Sequence, residues 1–136
     1  MSEPRNDDGL RAAVIIAYAL FLLAPINGLT AIAGIVLVYL KRPEARGTIW
    51  QSHLRNLLWV FWISALFFLA AAMLILPGLV TLLVALFQTN GNPPAALVGG
   101  LFAALPALAF ASLLFGLWYL YRTIAGLVRA VDGQPY

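Results

Sequence analysis

The chain has no cysteine, a single histidine and thirteen charged side chains among its 136 residues. Without cysteine there is no disulfide, no thiolate nucleophile and no Cys-ligated metal. One histidine, His53, with neither cysteines nor nearby acids, makes a poor metal site, so no cofactor or metal is expected. The location of the missing charge matters more. No Asp, Glu, Lys, Arg or His occurs from Ala12 to Leu40, nor in the 66 positions from Asn56 to Tyr121. A soluble fold must wet most of its surface and cannot carry such runs. Nor do these runs hold the ionisable groups that mark ion coupling, which argues against a proton- or sodium-driven transporter and against a charged pore.

The residues that are present agree. The chain is 63% hydrophobic and 10% charged, with a mean hydropathy of +0.95, whereas soluble domains run at about 45–50% apolar and about 25% charged. The length allows one small domain. The basic balance rests on eight Lys and Arg against five acids. These cations flank apolar runs, so they report topology and lipid headgroups, and no nucleic-acid partner is expected.

Charge falls in three clusters: Glu3–Arg11, Lys41–Arg55 and Arg122–Asp132. They divide the chain into a polar N-terminus (1–11), a broken apolar block (12–40), a basic amphipathic interfacial segment (41–58), a long transmembrane hairpin (59–121) and a polar tail (122–136). The 12–40 block is 29 residues long, about 44 Å as one helix, and is interrupted by Pro25-Ile26-Asn27-Gly28. Two readings remain: one tilted, kinked span, or two short helices (Gly9–Ala24 and Leu29–Leu40) forming a hairpin. The hairpin is preferred. The 59–121 block turns at Gln88–Pro94, its only polar, Gly/Pro-rich stretch, leaving helices from Thr48 to Phe87 and from Ala95 to Ala130. Pro77-Gly78 and Pro106 are the expected bends. The expected fold class is therefore all-α: a polytopic integral membrane protein with four helical segments, a short N-terminal helical hairpin plus two long kinked transmembrane helices. The N-terminal stretch reads as an uncleaved insertion sequence rather than a signal peptide.

Around 46–58 the polar residues Gln51, Arg55, Thr48, Ser52 and Asn56 share one helical arc, and Trp50, Leu54, Leu57 and Leu58 the opposite one. This predicts an amphipathic helix at a membrane surface, with Trp50, Trp59 and Trp62 in the interfacial belt. It serves either as a topological anchor or as a lipid or partner contact made by Lys41, Arg42, Arg46, His53, Arg55, Arg122 and Arg129. His53 is expected to hydrogen-bond to Gln51 or a headgroup rather than to relay protons. Gly99, Ala103, Ala107 and Ala111 form a small-residue stripe for close helix packing, either within the chain against the 57–87 helix or between copies. Asn27 is expected to cap the helix that follows it.

The ordered segments Asn27-Gly28-Leu29-Thr30-Ala31, Tyr39-Leu40-Lys41-Arg42, Ala45-Arg46-Gly47-Thr48, Gln51-Ser52-His53 with Arg55, Trp118-Tyr119-xx-Arg122-xxx-Gly126-Leu127 and Asp132-Gly133-Gln134-Pro135-Tyr136 together resemble a group of small uncharacterised proteobacterial inner-membrane proteins. That group is distantly similar to a superfamily including the Tic-type chloroplast import component and magnetosome membrane proteins. The resemblance implies four helical segments with both termini on one side, in a bacterial inner (plasma) membrane, and it implies no activity. The chain departs from the group in a lengthened Gln88–Pro94 turn. By the positive-inside rule, 41–55 and the C-terminus are expected in the cytoplasm, and the preferred hairpin puts the N-terminus there as well, whereas a single span would put it outside. With no nucleophile–base or metal set, the expected role is non-enzymatic: a scaffold or accessory subunit that binds membrane lipids or a membrane-protein partner. The alternative is an oligomeric channel or translocation component built from further copies of the chain.

Overall fold

The computed structural model describes residues 4–136, and those residues form four α-helices with no strand among them. Helix α1 (Pro4–Leu23) begins with a proline whose fixed φ suits a first turn, and Asp7 complements the helix dipole there. It ends before Pro25. Helix α2 (Leu29–Lys41) follows a tight turn in which Asn27 Oδ1 accepts the Leu29 N–H at 3.1 Å. The N-cap is Gly28, with no side-chain cap, so the cap expected of Asn27 is not made; Asn27 stands one residue earlier and its amide supports the turn instead. The 12–40 block is the antiparallel hairpin.

Helix α3 (Trp50–Gln88) and helix α4 (Ala95–Val131) match the expected pair to within two residues. At about 1.5 Å per residue each exceeds a roughly 30 Å hydrocarbon core, and both are long and apolar enough to cross a membrane. Between them, Asn90 and Gly91 adopt positive φ, and Gly91 N–H bonds back to the Leu86 carbonyl at 2.9 Å. Pro77 and Pro106 lie inside the helices. No separate interfacial helix spans 41–58. After α2 the chain makes a loop, turns at Gly47 (φ 78°) and enters α3 at Trp50.

The chain divides into two compact units: Met1–Ile63 with Trp118–Tyr136, and Ser64–Leu117. The first has a genuine core. Leu10, Ala13, Val14, Ala17, Tyr18 and Phe21 form one buried stripe of α1 at three- and four-residue spacing. Against it lie Gly34, Ile35 and Val38 of α2, with Trp50, His53, Leu54, Leu57 and Val60 of α3 and Tyr119, Thr123, Gly126 and Ala130 of α4 completing the interior. The backbones come close at glycines. A Cβ on Gly34 would sit 2.8 Å from the Phe21 ring, and one on Gly126 would sit 2.4 Å from Tyr18.

In the second unit no residue is buried. Phe67 stacks on Phe115 with centroids 4.2 Å apart, and Gly78 admits the Leu101 side chain. The rest is an apolar exterior, with Met73 71% and Phe87 84% exposed. Gly99, Ala103, Ala107 and Ala111 belong to this exterior. Nothing lies within 4 Å of a Cβ built at Gly99, whereas α3 and α4 touch at Phe67–Phe115 and at Gly78–Leu101.

Candidate functional site

The first unit gathers the polar chemistry of the chain. Trp50 Nε1 donates to Asp7 Oδ1 at 2.8 Å, tying the start of α3 to the first turns of α1. The Arg11 guanidinium donates to the Val131 carbonyl at the end of α4. Helix α4 then closes in a Schellman turn. Gly133, at φ 68°, lets Gln134 N–H reach the Arg129 carbonyl and its own N–H reach Ala130. That turn sends the tail back across α3, where Tyr136 N–H donates to Ser52 Oγ at 3.0 Å.

Under the tail lies His53, fully buried among side chains of α1, α3 and the tail. Its Nε2 is 2.7 Å from the Gln134 carbonyl oxygen. A carbonyl only accepts, so Nε2 carries the proton and Nδ1 is left as an acceptor. Tyr18 OH, 3.3 Å away, donates to Nδ1, and Asn56 Nδ2 donates to the Tyr18 oxygen at 3.1 Å. The result is a directed hydrogen-bond chain: Asn56, Tyr18, His53, Gln134. Asn56 Oδ1 is buried without a partner, so the chain begins there. Trp50 and Tyr136 enclose the imidazole, with ring centroids 5.8 and 6.1 Å from it. The Arg122 and Arg129 guanidinium groups lie over the Tyr136 ring at 5.1 and 5.4 Å, within the range of a cation–π contact. Among the described residues no three His, Asp or Glu side chains come together as a metal set.

A second cluster faces outward. Arg42, Arg46 and Arg55 are exposed, and Lys41 pairs with Glu44 at 2.9 Å. Arg42 and Arg55 line a cavity of about 330 Å³ together with Thr48, Gln51, Ser52 and Leu58.

No family model, curated protein or solved structure matches the chain. Its site therefore rests on its own geometry.

That geometry separates the seven expected contact residues into two groups. Lys41, Arg42, Arg46 and Arg55 line the outward face. His53 does not, because it is sealed under the tail and holds the fold together rather than meeting a headgroup. Arg122 is half-buried, with its Nε inaccessible, and Arg129 is exposed. Both are committed to the tail's aromatic ring. Trp50 leaves the expected belt for the interior at 3% exposure, whereas Trp59 and Trp62 stay out, at 58% and 57%. Tyr18, Gln134 and Tyr136 are members that helical periodicity does not reveal, because they meet His53 from distant stretches of sequence, and Asn56 joins the set through Tyr18. A signal was nonetheless present. The segments around 51–53, 122–126 and 132–136, quoted above for the resemblance, are the ones that converge.

Burial pushes the His53 pKa below its ordinary 6.5; the Gln134 hydrogen bond opposes that shift and the nearby Arg129 charge adds to it. The sign of the pH dependence follows. An unfolded chain takes up a proton near pH 6.5 that the folded chain still refuses. The His53 contribution is thus intact above that value and is lost as pH falls from 6.5 toward the lower folded pKa, with a slope of at most about 1.4 kcal/mol per pH unit. We expect thermal stability in detergent to decline between about pH 7 and about pH 5, and the decline to flatten in His53→Gln. Parallel profiles for the two proteins would refute the assignment.

Proposed function

We propose that the chain is a multi-pass integral protein of the bacterial inner membrane, with both ends cytoplasmic. In this reading it acts without catalysis, as a scaffold or accessory subunit that holds anionic lipid or a membrane partner through the basic face of Lys41, Arg42, Arg46 and Arg55. One observation carries the reading: the exposed apolar exterior of residues 64–117 has no charge, while the exposed arginines Arg42, Arg46 and Arg55 belong to the other unit, at and just before the start of α3. Apolar surface on this scale is stable only in an apolar solvent, and cations that flank the uncharged run in sequence suit an anionic leaflet, at about 1 kcal/mol each. The resemblance to small inner-membrane proteins adds topology and no activity. Charge reversal at Arg46 and Arg55 is expected to strip co-purifying lipid or partner without unfolding the protein, since both side chains are exposed. Arg122 is left intact because its contact with Tyr136 belongs to the fold. A reversed variant that retained every associated species would defeat this reading.

The exposed stripe Gly99, Ala103, Ala107 and Ala111 favours a second reading, an oligomeric channel or translocation component closed by α4–α4 contacts. Native mass spectrometry in mild detergent separates the two. A strict monomer removes the channel.

A further inference from the structure

The cavity beside α3 differs from a merely basic surface in what its polar groups are free to do. Its lining includes two guanidinium groups, Arg42 and Arg55, and no carboxylate. The nearest acid in sequence, Glu44, is taken by Lys41, with both of its oxygens within 3.1 Å of Nζ. Among the described residues neither arginine has an ion-pair partner. The other polar liners are already spoken for. Thr48 Oγ1 donates to the Ala45 carbonyl at 2.8 Å, and Ser52 Oγ donates to the Ile49 carbonyl at 2.7 Å while accepting the tail's Tyr136 N–H. Gln51 Oε1 accepts the Gly47 N–H at 3.1 Å, which leaves its amide nitrogen as a donor. The hydroxyl protons are thus spent on the fold, and the donors still free are the two guanidinium groups and the Gln51 amide. Their chemical complement is an oxyanion with several acceptor oxygens, and guanidinium forks fit a phosphate two oxygens at a time.

The other wall is apolar. Leu54 and Leu58 line it, and Arg55 is the last charged residue before the 66 uncharged positions that begin at Asn56. A volume of about 330 Å³ lies at the small end of ligand pockets, which run from about 300 to about 1,000 Å³. That suits a headgroup better than a whole amphiphile. We propose that this pocket is a phosphate-anion site, with Arg42 and Arg55 as its two forks and Gln51 as a neutral donor, built for the phosphate of an anionic phospholipid. The inference rests on the lipid-binding reading above and narrows it from a charged face to one pocket. It also joins ligand and fold, since Ser52 lies in the pocket wall and holds the tail that covers His53.

The test uses the full chain in zwitterionic phosphatidylcholine nanodiscs, with and without phosphatidylglycerol, and native mass spectrometry to count retained lipid. A second arm titrates inorganic phosphate against the protein in lipid-free detergent and reads the thermal midpoint. Three double variants are compared: Arg42→Gln/Arg55→Gln, the charge-keeping Arg42→Lys/Arg55→Lys, and Lys41→Gln/Arg46→Gln outside the pocket. Thermal midpoints without ligand confirm that each folds. The expected result is at least a tenfold loss of phosphatidylglycerol retention in both pocket variants and less than a threefold loss in the outside variant. A thermal shift with inorganic phosphate that is abolished in the pocket variants also supports the site, and in the absence of lipid preference it assigns the anion to solution. Equal losses in the Gln variants inside and outside the pocket, with the Lys variant unaffected, would overturn the pocket and leave the basic-face reading standing. Failure of the wild-type chain to prefer phosphatidylglycerol or respond to phosphate would overturn both.

Discussion

Tyr18→Ala is expected to lower the unfolding free energy by about 3–5 kcal/mol, the range for emptying a buried aromatic site. The ring is fully buried, and its hydroxyl links Asn56 to His53. Removing it leaves a cavity among α1, α3 and α4 and strands a donor and an acceptor. Tyr18→Phe isolates the second effect. It keeps the packing but leaves Asn56 Nδ2 and His53 Nδ1 unpaired, for an expected loss of about 1–3 kcal/mol. Small proteins hold only about 5–15 kcal/mol in total, so the alanine variant should be near its unfolding threshold. Denaturant unfolding in a mild detergent checks the ordering. An alanine variant within about 0.5 kcal/mol of wild type, as surface changes usually are, would show that Tyr18 is not part of the core.

The second large effect lies across the same contact. A Cβ on Gly126 would stand 2.4 Å from two ring carbons of Tyr18 and from its hydroxyl oxygen. That ring is fully buried and cannot swing into solvent to make room. Gly126→Leu is expected to destabilise by about 1–3 kcal/mol through overpacking, and Gly126→Ala to do so in smaller measure. Gly99→Ala, with nothing within 4 Å of the new methyl, should be neutral or stabilise by up to about 1 kcal/mol through helix propensity. Because Gly126 and Tyr18 share one volume, the double variant Tyr18→Ala/Gly126→Leu should lose less than the sum of its parts, with a coupling of about 0.5–3 kcal/mol. Additive losses would mean that α1 and α4 do not meet at this point.

Those two residues also mark how far periodicity reaches. The Pro25–Gly28 break and the turn at Gln88–Pro94 place the four helix ends that flank them, the close of α1 and α3 and the start of α2 and α4, to within a residue or two of where they lie. Pro, Gly and Asn act on their own backbone, so their effect is local and readable. The amphipathic arcs of 46–58 were harder to interpret. Leu54 and Leu57 do lie on an apolar face, but that face is packed inside the first unit, and Asn56 and His53, which look like surface residues, are buried with it. A hydrophobic stripe states that a face avoids water. It does not state whether lipid or another helix receives it. The same ambiguity governs the Gly99–Ala111 stripe, where small size permits close approach without naming the neighbour.

The amino-acid order alone determined that this chain is helical, where its helices break, and that its ionised groups are confined to three short clusters, because those properties depend on residues near one another in sequence. Only the tertiary structure decided that His53 is an interior hydrogen-bonding centre, that Arg122 and Arg129 serve the tail, and that Arg42 and Arg55 line one cavity. These outcomes depend on pairs far apart in sequence, such as His53 and Gln134, which are separated by 81 residues. Whether a polar side chain is spent on the fold or remains open to a ligand follows from which partner reaches it first in three dimensions.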